Sequence, residues 1–180
     1  MNDITAPYEY TVRQKIEGRV RLRRTLLVLG YITYVIVIAA IVLIFLPGFV
    51  PALAVVPMTL VAIIILTWKY VDVQFEYEIV SGRITFSEIY GNKKRKRTAE
   101  FFIRDCSLIA PLADSKGRID SFAPEKTVCA LSGEGTPDAY VALYSENGTK
   151  CAVYFEATAK ALKIFRMYNA PATVTGNVRY

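Results

Sequence analysis

Five consecutive cations, Lys93, Lys94, Arg95, Lys96 and Arg97, are the densest group of reactive side chains in the sequence, and they follow directly on Gly91-Asn92. Such a run does electrostatic work: near a membrane each basic residue contributes about 1 kcal/mol of attraction to anionic headgroups. A strand carrying the same run also places alternate cations on its solvent face, where they keep a sheet edge from pairing with another chain. Both readings remain open at the level of sequence.

The groups that usually perform catalysis are absent or scattered. The chain has no histidine, so the common proton carrier at neutral pH is missing. It also lacks a nucleophile elbow, a P-loop and zinc-ligand spacing. Cys106, Cys129 and Cys151 are odd in number and widely spaced, which reads as free packed thiols in a reducing compartment. Asp105, Asp114, Asp120 and Glu125 follow no spacing that defines a site. Asn147-Gly148-Thr149 matches a glycosylation acceptor, but a hairpin tip explains the same residues. We expect no enzyme, cofactor, metal site or nucleic-acid partner. Phe101 and Phe102, beside the cations, should pack in a core rather than stack on bases.

The elements that position these residues begin with an apolar stretch. Between Arg24 and Lys69 there is no Asp, Glu, Lys or Arg. Residues 25–46 match the roughly 30 Å hydrocarbon core of a bilayer at about 1.5 Å per residue. Leu46-Pro-Gly-Phe-Val-Pro51 then reverses the chain, and residues 50–68 return it. A single helix over the whole stretch would be about twice the apolar thickness, so a helical hairpin of two transmembrane segments is expected. Pro57 should bend the second segment or shorten its regular part.

Cations set the orientation. Arg13, Lys15, Arg19, Arg21, Arg23 and Arg24 precede the first segment, and Lys69 with 93–97 follows the second. The turn between them has none. The net charge of +6 therefore has a topological source, and both termini are expected in the cytoplasm of a multi-pass cell-membrane protein. Arg21, Arg23, Arg24, Trp68, Lys69 and Tyr70 are the expected interface anchors. Ala52-Leu53-Ala54 suggests a cleaved signal peptide as the alternative, but the apolar stretch exceeds a signal core and continues beyond the triplet. With no carboxylate or amine inside the hairpin, an anchor is expected rather than a transport path.

Residues 1–24 form a basic cytoplasmic segment in which Tyr8, Tyr10 and Val12 alternate like a strand, whereas Ile16 and Val20 have helical spacing. A short helix leading into the membrane is expected. Residues 69–168 read as a soluble domain. Val71, Val73, Phe75, Tyr77 and Ile79 alternate with polar residues, Ser81-Gly82 makes a tight turn, and 83–90 returns as a second strand. Further strands are predicted at 95–103, 106–110, 126–131, 139–145 and 150–156, the last two joined by Asn147-Gly148. Ala161, Leu162, Phe165 and Tyr168 mark one face of a helix over 157–168, which Asn169-Ala-Pro171 ends. A loose tail, 169–180, should follow.

The run from Tyr77-Glu-Ile-Val-Ser-Gly-Arg-Ile-Thr-Phe to the basic residues, leading on to Ile103-Arg-Asp-Cys-Ser-Leu-Ile-Ala-Pro111, resembles the opening of bacterial PH-like domain membrane proteins, in which such a domain follows paired membrane helices. The resemblance spans 25–168. It implies an α+β domain: a bent, seven-stranded antiparallel β-barrel capped by a C-terminal helix. It implies no activity and transfers no functional residue. The Ser81-Gly82 loop is too short to cradle a phosphoinositide headgroup. The expected role is a scaffolding or binding module for a protein or for the anionic inner leaflet, without headgroup specificity. The alternative is an accessory subunit of a membrane complex assembled through the hairpin.

Overall fold

Tyr8–Arg13 forms a strand, β1, so the helix expected before the membrane segments is replaced over these residues by sheet. Aromatic and β-branched residues at alternate positions favour a pleated, half-buried surface. Val12 is buried, and the Tyr10 and Tyr8 rings lie 5.6 and 6.2 Å from that of Tyr77. The computed structural model describes residues 7–176, apart from 17, 46, 69, 70, 92, 93 and 134. These fall into two compact units: one holds the residues before 15 and after 73, the other those from 15 to 73.

The first unit contains two sheets. In one, β1 is followed by β2 (Val73–Val80), β3 (Arg83–Tyr90) and β4 (Lys94–Phe102), paired in that order. Ser81 and Gly82 both have positive φ, 49° and 79°, as a two-residue hairpin turn requires. In the other, β5 (Cys106–Pro111), β6 (Lys126–Ala130), β7 (Ala139–Glu146) and β8 (Thr149–Glu156) are ordered β5-β7-β8-β6. The expected bent barrel of seven antiparallel strands is thus corrected on three points. The described residues form eight strands, they make two four-stranded sheets without closure, and β6 runs parallel to β8. The parallel pair follows from a long β5–β6 connection. It contains a short helix, α3 (Lys116–Phe122), that the sequence pattern did not show.

That helix covers one face of the second sheet. Ile119 and Phe122, with Leu112, pack on Leu108, Ala110, Val141, Leu143 and Ala152. The other core is aromatic. Phe155 lies between Tyr77, Phe86, Tyr140 and Phe165, with ring centroids 5.8, 5.5, 6.4 and 5.7 Å away. Phe165 belongs to α4 (Ala159–Tyr168), which buries Ala161, Leu162 and Phe165 as its pattern predicts, whereas Tyr168, expected on the same face, is exposed. Thr158 caps it, its hydroxyl accepting the Ala161 N–H at 3.2 Å.

The tail is tied down rather than loose over its described residues. Ile109 N–H donates to the Ala172 carbonyl, and Val174 N–H donates back to Ile109, both at 2.8 Å. This closes part of the β5 edge. Asn169 Nδ2 donates to the carbonyls of Ile103 and Cys106 at 2.9 Å each. Asn169→Ala leaves these acceptors unpaired and should cost about 1–3 kcal/mol, read as a lower denaturation midpoint; an unchanged midpoint would show that the Asn169 side chain adds nothing to stability.

The second unit is helical. α1 (Gly18–Phe45) contains Val20–Phe45, long and apolar enough to cross a membrane. A 3-10 segment, Pro47–Ala54, leads into α2 (Val55–Trp68). The second expected span is therefore not one long helix: the 14 residues of α2 reach only about 21 Å. Pro57 lies in the first turn of α2, where its missing N–H would have no helical partner anyway. Polar side chains tie the two helices together. Thr67 donates to the Ile63 carbonyl and Thr59 to that of Val56, so the tyrosines must donate in the Tyr31–Thr67 and Tyr34–Thr59 contacts. Leu26, Ile36, Ile44, Phe45, Met58 and Ile65 are exposed on this unit.

Candidate functional site

Strand alternation decides what the cations do. Ala99 and Phe101 of β4 are buried, and unbroken alternation would turn Arg97 and Arg95 inward as well. A bulge prevents that. Phe86 pairs with Ala99 while the next residue, Ser87, pairs with Arg97, so Thr98 is extra. Its hydroxyl donates to the Phe86 carbonyl at 3.1 Å. One extra residue reverses the alternation beyond it, and Arg95 and Arg97 reach the outer face of the first sheet. Carboxylates meet them there.

Arg97 pairs with Glu100, whose other oxygen lies 2.7 Å from Arg83 Nη1. Arg95 Nη2 lies 3.1 Å from Glu76 Oε2 and 3.4 Å from Glu9 Oε1, so one guanidinium joins β4 to β2 and β1. Lys94 and Lys96 point the other way. Both are exposed and neither makes an ion pair among the described residues. Lys93 lies outside the described residues. The run is not one patch: it divides into two neutralised arginines and two free lysines.

Glu76 is the residue that sequence reasoning missed. Its alternation with Phe75 and Tyr77 puts it on the outer face, yet its side chain is only 5 % exposed. Burial pushes its carboxyl above the usual range, Arg95 pulls it down, and Glu9 and Glu78 push it up again. The folded chain therefore holds this proton more tightly than the unfolded chain. Stability from the protonated form is present at low pH and lost as pH rises through the raised value.

The register also fixes which end of the sheet carries the lysines. Arg13, the last residue of β1, pairs with Gln74 near the start of β2. Tyr90, the last of β3, pairs with Lys94, the first of β4. In an antiparallel meander these positions share one end. The chain leaves for the helical unit, and returns from it, at the same sheet end that bears Lys94 and Lys96.

Of the expected interface anchors, Arg21 and Arg23 are exposed near the start of α1 and Arg24 is half-buried. Trp68 closes α2 and is exposed; Lys69 and Tyr70 lie outside the described residues. Cys129 is exposed, whereas Cys106 and Cys151 are buried on either side of Tyr144 in the sheet. Burial, with a smaller contribution from Asp105, raises the Cys106 thiol to about 12, so it packs in the sheet as the neutral thiol.

No curated protein and no solved structure matches the chain. A family model described as Bacterial PH-like domain (DUF6106) matches residues 7–175. That match takes in β1, the helical unit, both sheets and α4, and with this coverage the chain belongs to the bacterial PH-like domain family.

Proposed function

We propose that the protein is a double-pass membrane protein whose PH-like domain is a non-catalytic docking module for the anionic inner leaflet. The observation that carries the reading is the pairing of Arg13 with Gln74. Two residues paired in one ladder stand on one side of a membrane, so the chain between them crosses an even number of times. The α1 span therefore calls for a return, and Pro47–Ala54 with α2 has about 37 Å of helical path to provide it. Arg21, Arg23 and Arg24 at the start of α1 favour a cytoplasmic domain. Labelling single cysteines in intact cells with an impermeant thiol reagent should modify a Gly48→Cys variant and spare an Asn147→Cys variant. The reverse pattern would overturn the topology.

The sheet end from which both linkers depart carries exposed Lys94 and Lys96, and the linkers, 14–17 and 69–72, are short. In this reading that end meets the headgroups. Two lysines contribute about 2 kcal/mol, roughly 30-fold in the ratio of docked to undocked domain. Hydrogen exchange of the full chain in nanodiscs tests it. Amides of 90–98 should exchange more slowly in anionic than in neutral lipid, and the Lys94→Gln/Lys96→Gln variant should lose the difference. A double variant that keeps full protection would refute the docking surface.

A further inference from the structure

We propose that Glu9, Glu76 and Arg95 form an acid-sensitive latch: it holds Arg95 against the outer face of the sheet, and it releases the guanidinium to anionic phospholipid when Glu76 takes a proton. The inference rests on the docking reading above and adds its regulation. Its ground is the uneven charge around one buried carboxylate.

Arg95 is the cation facing Glu76, and Glu9 on β1 approaches the same guanidinium nitrogen. Glu78 lies two residues on along β2, paired with Glu9, while Thr11 opposite Glu76 is neutral. Two carboxylates thus share one arginine, and the charge of a third, Glu78, adds to the repulsion on Glu76. Mutual repulsion and the loss of water around Glu76, 5 % exposed, both favour the neutral acid. Arg97 has no such device. Its partner Glu100 is 26 % exposed and is shared with Arg83, so one carboxylate there meets two cations.

The latch also has a place to act. Arg95 lies between Lys94 and Lys96 in β4 and its side chain is 62 % exposed. While both carboxylates are ionised, the guanidinium is held toward β1 and β2 and the sheet end offers two lysines. Protonation of Glu76 removes the buried partner and leaves, among the described residues, Glu9, 53 % exposed and easily screened. Arg95 then becomes a third cation for headgroup phosphates. An added basic residue near an anionic surface raises the docked-to-undocked ratio about fivefold.

The test is hydrogen exchange of residues 90–98 in the full chain, in neutral and in phosphatidylglycerol nanodiscs, at about pH 7.5 and about pH 5 with intrinsic rates corrected. The anionic-over-neutral protection ratio of the native chain should rise at the lower pH, by up to about fivefold. Glu76→Gln should sit at the higher ratio at both pH values, with exchange of 139–156 unchanged as proof of folding. Glu9→Gln should keep the pH response, because the buried partner remains. Protection that is present but independent of pH would overturn the latch and leave docking intact. A Glu76→Gln variant that responds to pH like the native chain would also overturn it. Absence of lipid-dependent protection under every condition would remove the docking reading and the latch with it.

Discussion

Joining Arg13 to Gln74 through an Asn-Gly turn, in place of residues 14–73, should yield a soluble, folded protein. The two residues already face each other in the β1–β2 ladder, and Asn-Gly adopts the turn that closes such a pair over two residues. A chain that begins at residue 69 should fail. It would expose the edge of β2 and uncover Tyr77, which packs between Tyr8 and Tyr10 on one side and Phe86 and Phe155 on the other. Losing buried Val12 costs about 1.5–3 kcal/mol and losing half-buried Tyr10 and Tyr8 smaller amounts. Together these are a large share of the stability of a small domain. Gel filtration and thermal unfolding separate the outcomes: a monomer with a cooperative transition for the joined chain, and aggregate for the truncated one. Equal stability of the two would mean that β1 is dispensable and that its pairing with β2 does not hold residues 13 and 74 on one side of a membrane.

Phe155→Ala should be the most damaging single substitution in the domain. The ring joins both sheets to α4 through Tyr77, Phe86, Tyr140 and Phe165, and it is 1 % exposed. Removing a buried phenylalanine costs about 3–5 kcal/mol, transfer and cavity terms together. Urea unfolding of the joined soluble chain would report this as a lower midpoint at similar slope. A loss below about 1 kcal/mol would show that the neighbours collapse into the space and that the aromatic contacts are not cooperative.

These expectations divide the molecule according to what depends on what. If the docking reading is right, changes at Lys94, Lys96 and Glu76 alter lipid contact without touching the aromatic core. If the helical unit instead makes the essential contacts as a subunit of a membrane complex, its apolar surface will be sensitive and the lysines will not. The exposed Leu26, Ile36, Met58 and Ile65 are the positions for that comparison.

Local chemistry was legible from the chain alone. The alternation of 83–90 returned a strand with the observed ends, Ser81-Gly82 and Asn147-Gly148 adopted positive-φ turns, and α4 buried three of the four residues its spacing marked, Tyr168 excepted. The apolar stretch after Arg24 marked α1 because composition and length define a helix long and apolar enough to cross a membrane. Each signal lies within a few residues of the feature it predicts.

What the tertiary structure alone decided involves residues far apart. Tyr8, Tyr10 and Val12 had too short a pattern to choose between strand and helix until β2, some sixty residues later, supplied an edge to pair with. α3 showed only Ile119 and Phe122 as an apolar pair, too little to signal a helix without the sheet face that receives it. The direction of β6 depended on β8, and the order of the tail on Ile109. The bulge at Thr98 is a mismatch between two strands and has no signature in either alone. It also decides which face each pair takes, the outer one for Arg95 and Arg97. Sequence thus determined that cations stand here, because composition and turn chemistry are local. Which of them remain free was settled by strand register and by the burial of Glu76, since pairing and desolvation are set by neighbours that only folding brings together.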